Sequence, residues 1–287
     1  MRFYRILLVI GLLGGAASYG SSLGAEEEPD ISTQPEVQLM ALDPTVEAKQ
    51  PTLISDPLAV VEVQTAIENL IAADALEYSW VAGSEAKGAR STVTKSGAWD
   101  RNDRTATLTT EIAVLDAPSG INPFGQLADA LSGENQRTGE IITTLADDVI
   151  TTVTNGGAPK TAPASIRANE VAALDPRRTL LTPLLAELTM VESGTAVEGG
   201  ISYRAVVDSD AVAPLAVEAL VSERLADAGF DGVAGVRVPA TIVVADSGAI
   251  TVTVDLSLWW AAVEAEAPAV SSTTATLRLH VTSPAPE

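Results

Sequence analysis

Apolar residues are arranged differently in successive stretches of this chain, and the arrangement predicts its elements. From Ile6 to Leu13 they run almost unbroken. Val60, Val63, Ile67, Leu70 and Ile71 then recur at helical spacing, which lays them on one helix face. Asp56-Pro57 opens that helix, the Asp capping free amides and the Pro fitting the first turn. Period two follows, the mark of half-buried strands. Glu77 to Val81 and Ser91 to Trp99 are strand-like, and over Arg104 to Leu115 the set Ala106, Leu108, Thr110, Ile112 and Val114 shares one face. Asp100-Arg101-Asn102-Asp103 is a turn, so the second and third of these segments form a hairpin. Glu140 to Leu145 and Val149 to Thr154 flank Asp147-Asp148 as another hairpin. Phe124 to Leu131 is a short helix candidate, and Ala158 to Asn169 reads as loop.

The second half restarts the pattern. Asp175-Pro176 opens a helix with Leu180, Leu181, Leu184, Leu185 and Leu188 on its greasy face. Pro183 must kink that helix or start a second one. Ile201, Tyr203, Ala205 and Val207 alternate as a strand, and Val212 to Ala226 reads as a helix. Three long strands finish the chain. One carries Val236, Val238, Ala240, Ile242 and Val244 on one side and turns at Asp246-Ser247-Gly248. The next carries Ile250, Val252, Val254, Leu256, Leu258 and Trp260, and the last Ala275, Leu277, Leu279 and Val281. Successive strand residues face opposite sides, so one of Trp259 and Trp260 is expected to leave the aliphatic face. Helices between hairpin-linked strands predict an α+β fold built on an antiparallel sheet.

Composition and charge add a compartment. Arg2 and Arg5 precede the Ile6–Leu13 core, and small residues follow it as far as Ala25. That order is a secretory leader over residues 1–25. Its core is short of the ~20 apolar residues of a membrane span, though an uncleaved leader would still tether the chain. Residues 26–55 are acidic and dotted with Pro29, Pro35, Pro44 and Pro51, and read as a disordered linker. Residues 56–287 are expected to form a single domain. The net charge of −21 repels phosphate backbones, so no nucleic-acid partner is expected. With no cysteine, disulfides, thiolate nucleophiles and lipidated cysteines are excluded.

Candidate chemistry is sparse. His280, the only histidine, sits on the polar face of the last strand without a predicted partner, unlike a general base. No G-x-S-x-G, Walker or dinucleotide sequence occurs. Asp100, Asn102 and Asp103 have the oxygens of a weak hard-cation site, but turn chemistry explains them. Thirty-eight acids leave a glycosidase-like carboxylate pair open, while 4% aromatic content provides few stacking platforms for a sugar.

Several motifs in order carry a resemblance: Gly97-Ala98-Trp99-Asp100, Asp175-Pro176 with Leu180-Leu181, Gly200-Ile201-Ser202-Tyr203, and the Asp246-Ser247-Gly248 turn before the closing strands. Over roughly residues 56–284 the chain resembles the LppX/LprG group of actinobacterial lipid-carrier lipoproteins, related in fold to the carrier LolA. The resemblance implies a curved antiparallel half-barrel with helices covering its concave face and acyl chains held between. The group's lipobox cysteine is absent here, which puts acyl anchoring in doubt.

The expectation is a non-enzymatic, extracytoplasmic lipid-binding and transport protein of the cell envelope, monomeric and without a cofactor or metal. Its partners would be the acyl chains of a lipid or lipoglycan. Residues expected to line the cavity are Val252, Val254, Leu256, Leu258, Trp260, Ile242, Val244, Leu108, Ile112, Leu184 and Leu188. Two other functions stay open: an envelope scaffold with a filled core, and an exported hydrolase using paired carboxylates.

Overall fold

Asp56 anchors the first helix in two ways. Its Oδ1 accepts from the Leu58 amide at 2.9 Å, and its own amide donates to Val191 O at 2.7 Å. The first contact caps helix α1, Pro57–Ala72; the second pins that helix to a strand far along the chain. A computed structural model describes residues 51, 53–86, 89–115, 138–212, 235–266 and 274–284. The expected leader, the Phe124–Leu131 helix and all but the first residue of the Val212–Ala226 helix lie outside these residues.

Six strands follow α1: β1 (Ala75–Ala86), β2 (Ala89–Asp100), β3 (Thr105–Leu115), β4 (Thr138–Ala146), β5 (Val149–Thr154) and β6 (Lys160–Pro163). They form a meander of antiparallel neighbours. Both predicted hairpin turns are present. Asp100 Oδ1 accepts from the Asn102 and Asp103 amides at 2.8 and 2.9 Å. Asp147 and Asp148 have φ of 51° and 58°, the left-handed pair that a two-residue hairpin of the primed type requires. The stretch expected to be loop, Ala158 to Asn169, instead contains β6 and the start of helix α2 (Ala168–Leu174). Ile150 pairs with Ala162 across β5 and β6; this edge pairing depends on a distant partner, not on an apolar period.

The greasy segment after Asp175 is three short pieces, and the second helix that Pro183 was expected to start is one of them. A π-helical turn spans Arg177–Leu181, helix α3 spans Thr182–Glu187, and β7 begins at Leu188 and ends at Val191. Pro183 lies in the first turn of α3, where its missing N–H costs nothing. Leu188, expected on a helix, is therefore a strand residue. Its partner is Val207 of β9.

The C-terminal strands are β8 (Thr195–Val197), β9 (Gly200–Asp208), β10 (Arg237–Ala245), β11 (Ile250–Asp255) and β12 (Thr274–Thr282), with helix α4 (Ser257–Glu266) between the last two. Here one expectation fails. The strand predicted from Ile250 to Trp260 stops at Asp255, whose Oδ1 accepts from the Ser257 amide at 2.9 Å and from Ser257 Oγ at 2.5 Å. Leu258, Trp259 and Trp260 are helical, and the Trp260 amide donates to Leu256 O. Neither indole leaves the core: both are 1% exposed, with ring centres 4.6 Å apart in an edge-to-face contact. Neighbouring helix residues are about 100° apart, so both can face one interior, as strand neighbours cannot.

All twelve strands of the described residues join one sheet in the order β6-β5-β4-β3-β2-β1-β12-β11-β10-β9-β7, with β8 also on β9. The first strand and the last close the two meanders onto each other through Tyr78–Val281 and Trp80–Leu279. The fold is α+β, an open antiparallel half-barrel with helices on one face, as expected. The main core lies between that face and α1, α3 and α4, and includes Ile67, Leu184, Trp80, Val252 and Trp260.

Candidate functional site

The register sorts the helix-covered face into rows. One row runs Leu145–Ala106–Trp99–Leu76, the next Thr143–Leu108–Gly97–Tyr78–Val281–Ile250. A third runs Ile141–Thr110–Lys95–Trp80–Leu279–Val252–Ile242, and a fourth Ile112–Val93–Ala82–Leu277–Val254–Ala240. On β9 to β12 these rows are almost wholly aliphatic and sealed. On β2 to β5 they mix aliphatic residues with threonine.

The expected ligand residues divide by burial, and only Leu108 and Ile112 among them lie on β2 to β5. Ile242, Val252, Val254, Leu256, Trp260 and Leu184 are sealed in the main core. Leu108, Ile112, Val244, Leu188 and Leu258 are half-buried against it. Leu108 and Ile112 are joined on β2 to β5 by half-buried Lys95, Thr110, Ile141 and Thr152. Ala106 to Ile112 covers about 20 Å of strand at about 3.3 Å per residue. The mixture of apolar surface and partial exposure, which periodicity alone did not pick out, marks this strip as the candidate ligand surface.

A second, smaller cluster closes one end of the strip. Leu174 of α2 packs with Ala106, Leu145 and Ile150, and Leu108 touches both clusters. Gly97 permits the junction. A Cβ there would stand 2.8 Å from the ring carbon and hydroxyl of Tyr78 and closer still to Thr107 O. With no side chain at Gly97, the Tyr78 ring crosses it and donates to Leu174 O at 3.2 Å.

The strip's electrostatics differ from those of the chain. No Asp or Glu occupies the described helix-side positions of β2 to β5. Lys95 is there, its Nζ 5.1 Å from the centre of the Trp80 ring, a cation–π contact. Burial, then the charge of Asp175, pushes the Tyr78 phenol well above its usual value. Burial, then its hydrogen bond to Glu62 Oε2 at 2.8 Å, pushes Tyr203 up to about 12. Unfolded tyrosines ionise near pH 10, so stability is complete below pH 10 and falls as pH rises through 12. Urea midpoints measured across that window should fall, and Tyr203→Phe should make the fall shallower. An equally steep fall in the variant would show that Tyr203 does not carry it.

The other candidates are ordinary. His280 is exposed on β12, its Nδ1 2.9 Å from Thr251 Oγ1 on the face away from the helices. Asp100 spends Oδ1 on its own turn. Among the described residues no group of three or more His, Asp or Glu is placed to hold a metal ion, and no helix is long and apolar enough to cross a membrane.

Fold and face together define an α+β half-barrel whose helix-covered side is sealed at one half and half-buried, partly apolar, at the other. No family model matches the chain, and no curated protein matches it. Among solved structures it is similar to LprF from Mycobacterium bovis, at 11% identity and a TM-score of 0.42, over 81% of this chain and 96% of that one. It is also similar to the Mycobacterium tuberculosis lipoprotein LppX, at 10% identity and a TM-score of 0.39, over 79% and 95%. A DUF1329 family protein from Desulfovibrio piger aligns at 8% identity and a TM-score of 0.23, over 80% and 92%.

Proposed function

We propose that this protein is a non-catalytic lipid-binding and transport protein of the cell envelope, exported by its leader and either shed or held by it. The observation that carries the proposal is the half-buried strip through Leu108, Ile112 and Ile141 on the helix side of the sheet. An acyl chain would lie along it. Leu108 and Ile112 of the expected set would touch the chain, and the sealed members would hold the sheet and helices together beside it. About ten methylenes buried at ~0.8 kcal/mol each supply ~8 kcal/mol, which corresponds to about micromolar affinity. Apolar burial would suffice, and no side chain need do chemistry.

Purified full-length protein titrated with a fluorescent fatty acid tests this, together with extraction and mass spectrometry of what co-purifies. Ile112→Asp should weaken binding at least tenfold, because a carboxylate would be desolvated under the chain. Thr107→Asp, on the opposite face of the same strand, should leave binding unchanged. A protein that is lipid-free and ignores the probe would sink the proposal, as would equal losses in both variants. The sealed core of β9 to β12 favours a second function, an envelope scaffold that recognises another protein and binds no amphiphile. The lipid-free outcome would select it.

A further inference from the structure

Where α2 gives way to the π-helical turn, Asp175 and Arg177 form an ion pair with side chains 11% and 9% exposed. Arg177 Nε donates to Asp175 Oδ1 at 2.8 Å and Nη2 to Oδ2 at 3.0 Å. The guanidinium carbon stands 5.5 Å from the centre of the Trp99 ring. Two donors at this spot are buried and have no acceptor among the described residues: Arg177 Nη1 and Trp99 Nε1. Buried donors are nearly always paired, and an exception calls for an unseen partner. An orphaned N–H on a charged group is the costliest kind. The backbone holding Arg177 is π-helical, a form that concentrates at functional sites.

Position says what the partner is. Trp99 shares the helix-side face with Gly97 and is paired with Ala106, one row from Leu108. The two donors therefore stand at one end of the half-buried strip. We infer that they receive the carbonyl-type oxygen of the bound amphiphile, while its chain runs from Leu108 towards Ile112. Asp175 already balances the arginine charge, so the site suits an ester carbonyl as well as a carboxylate. This rests on the lipid-binding proposal and deepens it by fixing which end of the ligand lies where.

Three amphiphiles with one chain length separate the possibilities: dodecanoate, its methyl ester (added from a co-solvent), and dodecylammonium, whose head has no acceptor. They are titrated into the full chain at moderate salt, with the Trp99 indole N–H resonance followed by NMR and assigned by its loss in Trp99→Phe. The resonance should move on adding dodecanoate or the ester and stay still with dodecylammonium. Movement with dodecanoate alone would assign a carboxylate, and movement with both a carbonyl. Trp99→Phe keeps a six-membered aromatic ring but removes the pyrrole ring with its N–H, so it should weaken the oxygen-bearing ligands roughly five- to tenfold more than dodecylammonium, which reports the packing loss alone. If the ligands bind but the resonance stays put and Trp99→Phe binds as well as wild type, the inference fails and the lipid-binding proposal stands; a buried water then satisfies the donors. If none of the three binds, both fail.

Discussion

Trp259→Ala and Trp260→Ala should each cost about 3–5 kcal/mol of stability. Both indoles are 1% exposed and each packs edge-to-face on the other, so either truncation leaves a large cavity and removes an aromatic contact. Urea unfolding followed by far-ultraviolet circular dichroism measures the two losses. Their equality is the informative part. Had β11 continued through Trp260, one ring would face away from the core and its removal would be nearly neutral. A loss below about 0.5 kcal/mol at either position would therefore contradict helix α4. Trp260→Phe should cost much less than Trp260→Ala, because the Trp260 indole N–H has no partner to lose among the described residues.

Asp175→Ala should destabilise the fold by about 3–5 kcal/mol, the range for removing one partner of a buried ion pair. The cause is less the lost attraction than the stranded Arg177 guanidinium, buried beside Trp99. The change also takes the acceptor from the Arg177 amide, which donates to Asp175 Oδ1 at 3.1 Å. The double variant Asp175→Leu with Arg177→Met should recover most of the loss, since replacing both charges by apolar groups is often neutral. If the double variant were as unstable as the single one, the charge would not be the cause, and backbone geometry at the π-helical turn would be.

Much of the fold was legible because much of it is local. Helix α1 has its cap, its proline and its apolar stripe within one short window, and the structure uses all three. Strand β3 alternates because one side packs inward: Ala106 is buried while Thr105 and Thr107 are exposed. The Asp147-Asp148 turn needed only two residues that tolerate positive φ.

Helix α4 was misread for a physical reason. Val252, Val254, Leu256, Leu258 and Trp260 keep period two right through the change of structure. The local cue was Asp255 two residues before Ser257, a helix-start pairing that the alternation outweighed. The Trp99–Arg177 junction had no cue at all, since its residues are far apart in the chain and meet only when α2 docks on the sheet. The candidate site was half legible. Leu108, Thr110 and Ile112 were visible on one face from alternation, but Lys95, Ile141 and Thr152 read as polar or unremarkable strand positions.

By itself, then, the sequence determined the elements wherever short-range period and caps agreed, the antiparallel α+β class, and an order of motifs that resembles one group of carriers. Only the tertiary structure decided that β1 closes on β12, which side of the sheet the helices cover, and where that side stays half-buried. Periodicity is set by residues within a few turns of one another. Strand partners, face and exposure are set by what the whole chain can bury at once.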